Sequence, residues 1–160
     1  MRDLTQRSAR GCEQLEAFRF DFFELSGDTY EELAFKHKRD SSGKREAFFL
    51  KFADIIALAL RQAKTFVTGG FKTVDAMVKA LQVVDGVGLA RPLCQEPRLC
   101  VEILAGNFKG AIMQLPDQSN YALTNIVAGT QMRQIGKDEE PIDLSKEENE
   151  MAFKGIYLRG

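Results

Sequence analysis

Apolar residues along this chain form short runs that alternate with longer stretches of helical spacing. The runs predict three β-strands at Phe18–Leu25, Thr65–Thr68 and Val83–Leu89. Helical spacing predicts helices at Ser8–Ala17, Lys44–Ala63, Thr73–Gln82 and, from Pro97, a further helix that Gly106 closes. The resulting order, helix–β–α–β–α–β–α, is typical of consecutive βα units with parallel strands. The predicted fold class is therefore α/β.

The same pattern predicts which side chains form the core. The run Phe18–Leu25 is nearly continuous and aromatic, as expected of a strand buried on both faces. The second helix carries an apolar face made of Phe48, Phe52, Ile55, Ile56 and Ala59. The third carries a stripe made of Val74, Met77, Val78 and Leu81, and Thr73 is its predicted N-cap. The polar stretch Thr29–Gly43 is expected to be a surface loop or a short helix.

After residue 110 the pattern changes. A helix is predicted at Tyr121–Ile135, and Gly136–Asn149 is expected to be an acidic surface tail. We therefore expect two parts, residues 1–110 with the βα units and residues 111–160 as a helical and acidic C-terminal extension. No function is assigned to the final residues after Ser145.

Two glycine turns, each following a predicted strand, are the strongest indication of function. The first contains Gly69 and Gly70 within Thr65–Phe71, and the second lies within Val84–Pro92. Glycine lets backbone N–H groups approach a ligand closely, and a strand that leads into a helix aims those groups and the helix dipole at an anion. Two such turns on neighbouring strands predict a phosphate site at the carboxyl edge of a parallel sheet.

The second turn, Gly86-Val87-Gly88-Leu89-Ala90-Arg91, begins like a dinucleotide-binding motif, but Arg91 replaces the third glycine. No acidic residue follows at the interval that a Rossmann fold requires, so we reject that interpretation. The Arg91 guanidinium can instead bind a phosphate directly. An arginine in a salt bridge at a helix start explains the residue equally well.

Composition and chemistry-bearing residues narrow the function classes. With a net charge of −1 and a pI near 5.9, the chain has no overall positive charge that would attract nucleic acid or acidic membranes. The longest apolar run, Ile55–Leu60, is too short to span a bilayer, and no signal sequence is present, so a cytoplasmic location is expected. The single histidine, His37, makes a triad with Ser26 or Thr68 improbable. Three cysteines of irregular spacing predict neither disulfides nor a metal site.

Several segments resemble the C-terminal portion of fungal NADH:flavin oxidoreductases of the old yellow enzyme family. They are FFELSGDTYE (Phe22–Glu31), TFVTGGF (Thr65–Phe71), GVGLARPLCQEPRL (Gly86–Leu99) and LTNIVAGTQMRQIGKDEEPIDLS (Leu123–Ser145). The resemblance implies the last three βα units, strands six to eight, of a (βα)8 TIM barrel with FMN as cofactor and NAD(P)H as co-substrate. It implies that Gly69, Gly70, Ala90 and Arg91 hold the FMN phosphate. In this family electron-poor alkenes are the small-molecule substrates. Alanine at position 90, where many members have glycine, can serve if its φ is negative.

The resemblance also implies what the chain lacks. In the family the first five strands supply the flavin-ring contacts and the catalytic residues, and these have no counterpart here. A full barrel needs at least about 200 residues, so the chain is interpreted as a fragment with little or no turnover of its own. Two alternatives stay open: a non-catalytic half-barrel that assembles through exposed sheet edges, with itself or with a separate N-terminal part, and a truncated product.

Overall fold

A computed structural model describes residues 2–26, 42–118 and 120–157. The chain divides into two compact units, Met1–Leu89 and Ala90–Gly160. The elements of the first unit are α1 (Arg2–Glu16), β1 (Phe22–Ser26), α2 (Ser42–Ala59), β2 (Lys64–Thr68), α3 (Val74–Ala80) and β3 (Gly86–Gly88). The elements of the second unit are α4 (Arg91–Gln95), α5 (Leu99–Leu104), α6 (Tyr121–Ile135) and α7 (Glu147–Tyr157). The alternation of helices and strands confirms the predicted α/β class.

The first unit is built on a parallel sheet with the strand order β1-β2-β3. Leu25 lies opposite Val67, and Val67 lies opposite Val87, so these three residues share one face. Since the strands follow one another in one direction, right-handed crossovers place α2 and α3 on the same face of the sheet. Val67 and Leu25 are buried on that face.

The opposite face of the sheet is open, and this corrects one prediction. Phe22 and Phe66 lie on it with 59% and 37% of their surface exposed, and their rings meet edge to face at 5.7 Å. Phe18 and Phe20, which precede β1, are also exposed. The prediction that the run Phe18–Leu25 is buried on both faces is therefore wrong for this chain. The physical reason is that both crossover helices cover a single face.

Strand β3 is short and carries two glycines because the neighbouring strand leaves no room for side chains. Phe66 pairs with Gly86 and Thr68 with Gly88. A Cβ at position 86 would lie 2.5 Å from the Phe66 ring, and one at position 88 would overlap Thr68 Oγ1. The side chains of β2 thus cross over β3, and glycine is required there for packing within the sheet.

Helix α3 begins as the sequence predicts. The Thr73 hydroxyl oxygen accepts a hydrogen bond from the N–H of Ala76, which confirms the N-cap. Its predicted apolar stripe is wrong in part, because Val78 and Leu81 are exposed. The buried residues of this short helix are Ala76, Met77 and Ala80. The small side chains of Ala76 and Ala80 let the helix lie close to the sheet. The predicted stripe consisted of large residues and did not include them.

Helix α2 agrees with prediction over the part of its core face whose side chains the structure describes. Ile56 is buried, together with Ala53, which the prediction omitted, while Phe52, Ile55 and Ala59 are half-buried. The helix begins at Ser42, so Ser42 and Gly43 are helical. Apart from these two residues, the stretch Thr29–Gly43, predicted as a surface loop or a short helix, lies outside the described residues, as does His37.

A carboxylate at the end of α1 secures the turn that enters β2. Glu16 accepts hydrogen bonds from the backbone N–H groups of Arg61, Gln62 and Ala63 at 2.9, 2.7 and 2.8 Å. These bonds, chiefly those from Ala63 and Gln62, lower the pKa of Glu16 below its usual value. The contact joins two segments that are 45 to 47 residues apart in sequence.

A second carboxylate joins the starts of β2 and β3. Asp85 accepts from the Lys64 ammonium at 2.7 Å and from the N–H of Thr65 at 2.9 Å. The Lys64 bond is the main cause of a lowered pKa at Asp85. Glu16 and Asp85 therefore act at the amino-terminal edge of the sheet, opposite the edge with the glycine turns.

The second unit is helical. Helix α6 spans Tyr121–Ile135, as predicted, and Asn120 is its N-cap. Gly106 has a φ of +79° immediately after Ala105, the C-cap of α5, which confirms it as the residue that closes this helix.

The prediction of an acidic surface tail over Gly136–Asn149 is wrong for residues 141–145, which are buried or half-buried, whereas Lys146, Glu147 and Glu148 are exposed as expected. Leu144 is fully buried, and with Leu123, Val127 and Phe153 it forms a hydrophobic cluster against which Ile142 packs. Helix α7 supplies Phe153 to this cluster. Most acidic side chains of this region are exposed, whereas Asp143 is half-buried and Leu144 points inward. The acidic composition of the segment as a whole does not reveal that single apolar residues within it are buried.

Candidate phosphate-binding turns

The first glycine turn follows β2 directly. Gly69 and Gly70 have φ angles of +141° and +73°, a region that side chains other than glycine rarely adopt. A Cβ at Gly70 would meet no atom within 4 Å, and the residue is exposed. The two glycines are therefore required by backbone conformation, and open space lies beside the second of them.

The strands that lead into the two turns end side by side. The register of β2 with β3 pairs Thr68 with Gly88, so the carboxyl ends of both strands lie at the same edge of the sheet. Gly69 follows Thr68 in the chain, and Leu89 follows Gly88. This much of the predicted arrangement, two turns starting from adjacent strand ends, is present in the first unit.

Ala90 and Arg91 begin the second unit. Ala90 is the N-cap of α4 with a negative φ of −109° and a ψ of −89°, outside the regular helical and extended regions, and Arg91 is the first residue of the helix. Pro92 follows in the first turn, where its missing N–H costs nothing. Helix α4 has only five residues, so any affinity for an anion here depends mainly on the Arg91 side chain and nearby N–H groups.

The surroundings of Arg91 bear on its two interpretations. The side chain is exposed, and within the part of the chain that the structure describes it forms no ion pair with a carboxylate. The salt-bridge alternative therefore has no support among these residues. Arg91 borders a small open pocket. The other residues that line this pocket are Gln114, Gln118, Thr124, Val127, Ala128 and Gln131.

A network of buried amides next to this pocket is not predicted by the sequence. Gln131 is fully buried, and its amide nitrogen donates to the Gln95 side-chain oxygen at 3.3 Å and to the Ile142 carbonyl at 3.0 Å. Gln95 in turn donates to Asp143 Oδ1 at 3.2 Å and accepts from the N–H of Leu144 at 3.1 Å. In the sequence, the one sign of this network is a glutamine, Gln131, within an apolar helical stretch. It does not reveal partners that lie 36 to 49 residues away.

The remaining chemistry-bearing residues form no catalytic arrangement among the described ones. Ser26 is exposed at the end of β1, and Thr68 lies against Gly88 of the neighbouring strand. All three cysteines are free, and burial raises the pKa of the Cys12 and Cys94 thiols. None of the helices in the described ranges is both long and apolar enough to cross a bilayer.

Comparison with known proteins identifies the relatives of this chain. No protein-family model matches it. It is 49% identical over 139 residues to the NADH-dependent flavin oxidoreductase nadA of Aspergillus parasiticus, a match that covers 86% of this chain and 31% of the relative. It is 38% identical over 87 residues to the NADH-dependent flavin oxidoreductase iccE of Talaromyces variabilis, covering 49% of this chain and 21% of the relative. The corresponding protein iliE of Hypocrea jecorina is 37% identical over 89 residues, covering 49% of this chain and 22% of the relative.

These matches confirm the predicted resemblance to NADH:flavin oxidoreductases, since all three relatives are named NADH-dependent flavin oxidoreductases. The chain is a homologue of NADH-dependent flavin oxidoreductases and corresponds to their C-terminal part. It spans about a third of the length of the first of these relatives and about a fifth of the other two.

Proposed function

We propose that this chain forms the last three βα units of an FMN-dependent (βα)8 oxidoreductase of the old yellow enzyme type. Three observations support the proposal: a three-stranded parallel sheet with alternating helices, two glycine-bearing turns that start from adjacent strand ends, and homologues named NADH-dependent flavin oxidoreductases. In such an enzyme the flavin would carry hydride from NAD(P)H to an electron-poor alkene. A cytoplasmic location fits this activity.

Within such an enzyme, the role of this chain would be to bind the phosphate group of FMN. Backbone N–H groups of Gly69 and Gly70 would bind phosphate oxygens from the first turn. Ala90 would add an N–H from the second turn, and Arg91 would add an N–H and its guanidinium, which favours a phosphate through charge-assisted hydrogen bonds. The single observation that carries this assignment is the exposed Arg91 without a carboxylate partner among the described residues.

The residues present fit a phosphate group. Gly69 and Gly70 have positive φ angles that other residues rarely adopt, and the space beside Gly70 is open to an approaching group. The negative φ of Ala90 leaves its N–H usable although it carries a Cβ. Nothing in the conformation of these four residues opposes the role that the resemblance implies.

Replacing Arg91 with alanine is expected to weaken FMN binding by about 10- to 100-fold, the loss typical of a charged hydrogen-bonding group. Riboflavin lacks the phosphate, and the resemblance implies that other strands supply the flavin-ring contacts, so riboflavin should bind far more weakly than FMN and equally weakly to the unaltered chain and the variant. Fluorescence quenching of the two flavins, titrated with the purified chain and its variants, measures both affinities.

A matched control for this experiment is Arg98→Ala. Arg98 is an exposed arginine at the start of α5, 4.0 Å from Glu102, and its loss should change neither affinity. Equal affinities of the unaltered chain for FMN and riboflavin would contradict the proposal, and so would an Arg91→Ala variant that binds FMN as the unaltered chain does.

A second candidate function is a non-catalytic module that assembles through its sheet. The open face with Phe22 and Phe66 favours it, because contiguous exposed apolar surface is a mark of interaction sites. Strand β1 is also at an edge of the described sheet and can pair with another strand. In this interpretation a second copy, or a separately encoded N-terminal part, covers the face.

Light scattering after size exclusion tests this assembly. If two copies associate through the open face, the chain is dimeric and Phe66→Lys makes it monomeric, since association would have to bury the introduced ammonium group on the central strand of the sheet. Leu58→Lys is the control, because Leu58 is a strongly exposed apolar residue on α2. A stable monomeric wild type, or a Phe66→Lys variant that stays dimeric, counts against self-assembly through this face.

A further inference from the structure

Helix α4, which begins with Arg91, is too short to be stable through its own hydrogen bonds. Isolated helices of fewer than about 12 residues are marginal in water, and α4 has five. Neither end is capped by a side chain, and Gln95 is its single buried residue. The position of the helix therefore depends on tertiary contacts, and Gln95 is the residue of α4 that makes the buried ones.

The Gln95 amide is bonded to two separate segments. Its oxygen accepts from Gln131 Nε2 of α6 and from the N–H of Leu144, and its nitrogen donates to Asp143 Oδ1. Buried amides that are satisfied in this way fix one arrangement, because any shift leaves polar groups without partners in a low dielectric. Asp143 is itself held by the Ser145 hydroxyl at 2.6 Å.

The same network reaches the surroundings of Arg91. Gln131 borders the pocket beside Arg91 and hydrogen-bonds Gln95, which lies one helical turn further along α4. Gln114 lines the pocket too, and its amide lies 3.5 Å from Gln131 Oε1. A change in the Gln95–Gln131 contact would thus be transmitted to the first residue of the helix.

We propose that Gln95 and Gln131 are positioning residues, which hold α4 so that the Arg91 guanidinium is presented to the cofactor phosphate. This inference rests on the proposed function for its ligand. It adds that the segment Ile142–Leu144, within what was predicted to be a surface tail, is the support of the phosphate-binding arginine. Neither glutamine is expected to contact the flavin.

The test is Gln95→Met, which keeps the length of the side chain and removes its hydrogen bonds. We expect FMN affinity to fall about tenfold and riboflavin affinity to stay unchanged. Amide exchange measured by NMR without ligand should be faster by a similar factor at the N–H of Glu96, which bonds to the Pro92 carbonyl within α4. Exchange in the middle of α6 should not change. Asn149→Ala is the control, since it removes a bond to the Asp143 carbonyl and none to Gln95.

The outcomes separate this inference from the proposed function. Unchanged protection of Glu96 in Gln95→Met would overturn the inference, and so would a parallel loss of FMN and riboflavin affinity, which indicates general destabilisation. If Arg91→Ala lowers FMN affinity and Gln95→Met does not, the positioning role is wrong and the phosphate role stands. If Arg91→Ala has no effect on FMN affinity, the phosphate role fails, and with it the positioning role toward a phosphate.

Discussion

Replacing Gly88 with alanine is expected to destabilise the first compact unit by about 1–3 kcal/mol, the usual cost of forcing an extra methyl group into a packed site. The new Cβ would overlap Thr68 Oγ1 and would lie 3.1 Å from Thr68 Cβ. A rotation of the Thr68 side chain can move its hydroxyl but not its Cβ, so the strands must separate. Chemical denaturation, followed by far-UV circular dichroism, measures the loss.

Two further variants make this prediction specific. Thr68→Gly in the Gly88→Ala background removes all three close side-chain atoms and should recover part of the lost free energy of unfolding, since glycine in a strand has a cost of its own. Gly11→Ala is the control: position 11 lies in α1 with no atom within 4 Å of a Cβ, so alanine there should be neutral or stabilise by up to about 1 kcal/mol. A Gly88→Ala chain as stable as the parent would show that β2 and β3 are not packed as described.

The crowding at β3 changes how the second glycine motif is interpreted. In the sequence Gly86 and Gly88 look like residues that let a ligand approach the backbone. In the structure their immediate neighbours are the Phe66 ring and the Thr68 side chain, so packing within the sheet accounts for both. From the sequence alone, a glycine that makes room for a ligand cannot be distinguished from a glycine that makes room for a neighbouring side chain. In the first turn a Cβ at Gly70 would meet no atom within 4 Å, so packing does not explain this glycine. Its positive φ does, and the space beside it stays available to a ligand.

What the sequence predicted well depends on local signals. The order of elements, the Thr73 cap and the bounds of α6 follow from hydrophobic spacing and capping residues within a few positions. What it predicted poorly depends on which partner covers a face. The apolar run Phe18–Leu25 indicates a segment that tends to be buried. The run does not show which other element, if any, packs on the second face of the strand.

The amide network illustrates a further limit. Gln95 and Gln131 are polar residues in helices, and on spacing alone they belong to the solvent side. They are buried because each satisfies the other and the backbone of Ile142–Leu144. A partner that is 36 or more residues away in sequence leaves no periodic trace. The candidate phosphate residues could be named from the family resemblance, whereas the residues that support Arg91 could only be found in the structure.

Replacing Phe153 with alanine should have the largest effect on stability of any change considered for this chain. Phe153 is 1% exposed and packs with Leu123, Val127 and Leu144 in the cluster of the second unit. Removing a buried phenyl ring typically costs about 3–5 kcal/mol, a large share of the total stability of a small unit. Thermal unfolding and amide exchange in α6 measure the effect.

Ile156→Ala is the matched control, because Ile156 lies on the same helix with 73% of its surface exposed and should tolerate truncation. If the C-terminal residues were only an acidic extension, the two variants would behave alike, and the structural role of α7 would be wrong. If Phe153→Ala is the more damaging, the last helix is part of the core that encloses Leu144. Since the backbone N–H of Leu144 bonds Gln95, the same variant should then also weaken the support of α4 and Arg91. A selective loss of FMN over riboflavin affinity in a partly destabilised Phe153→Leu variant would show that this coupling reaches the phosphate-binding arginine.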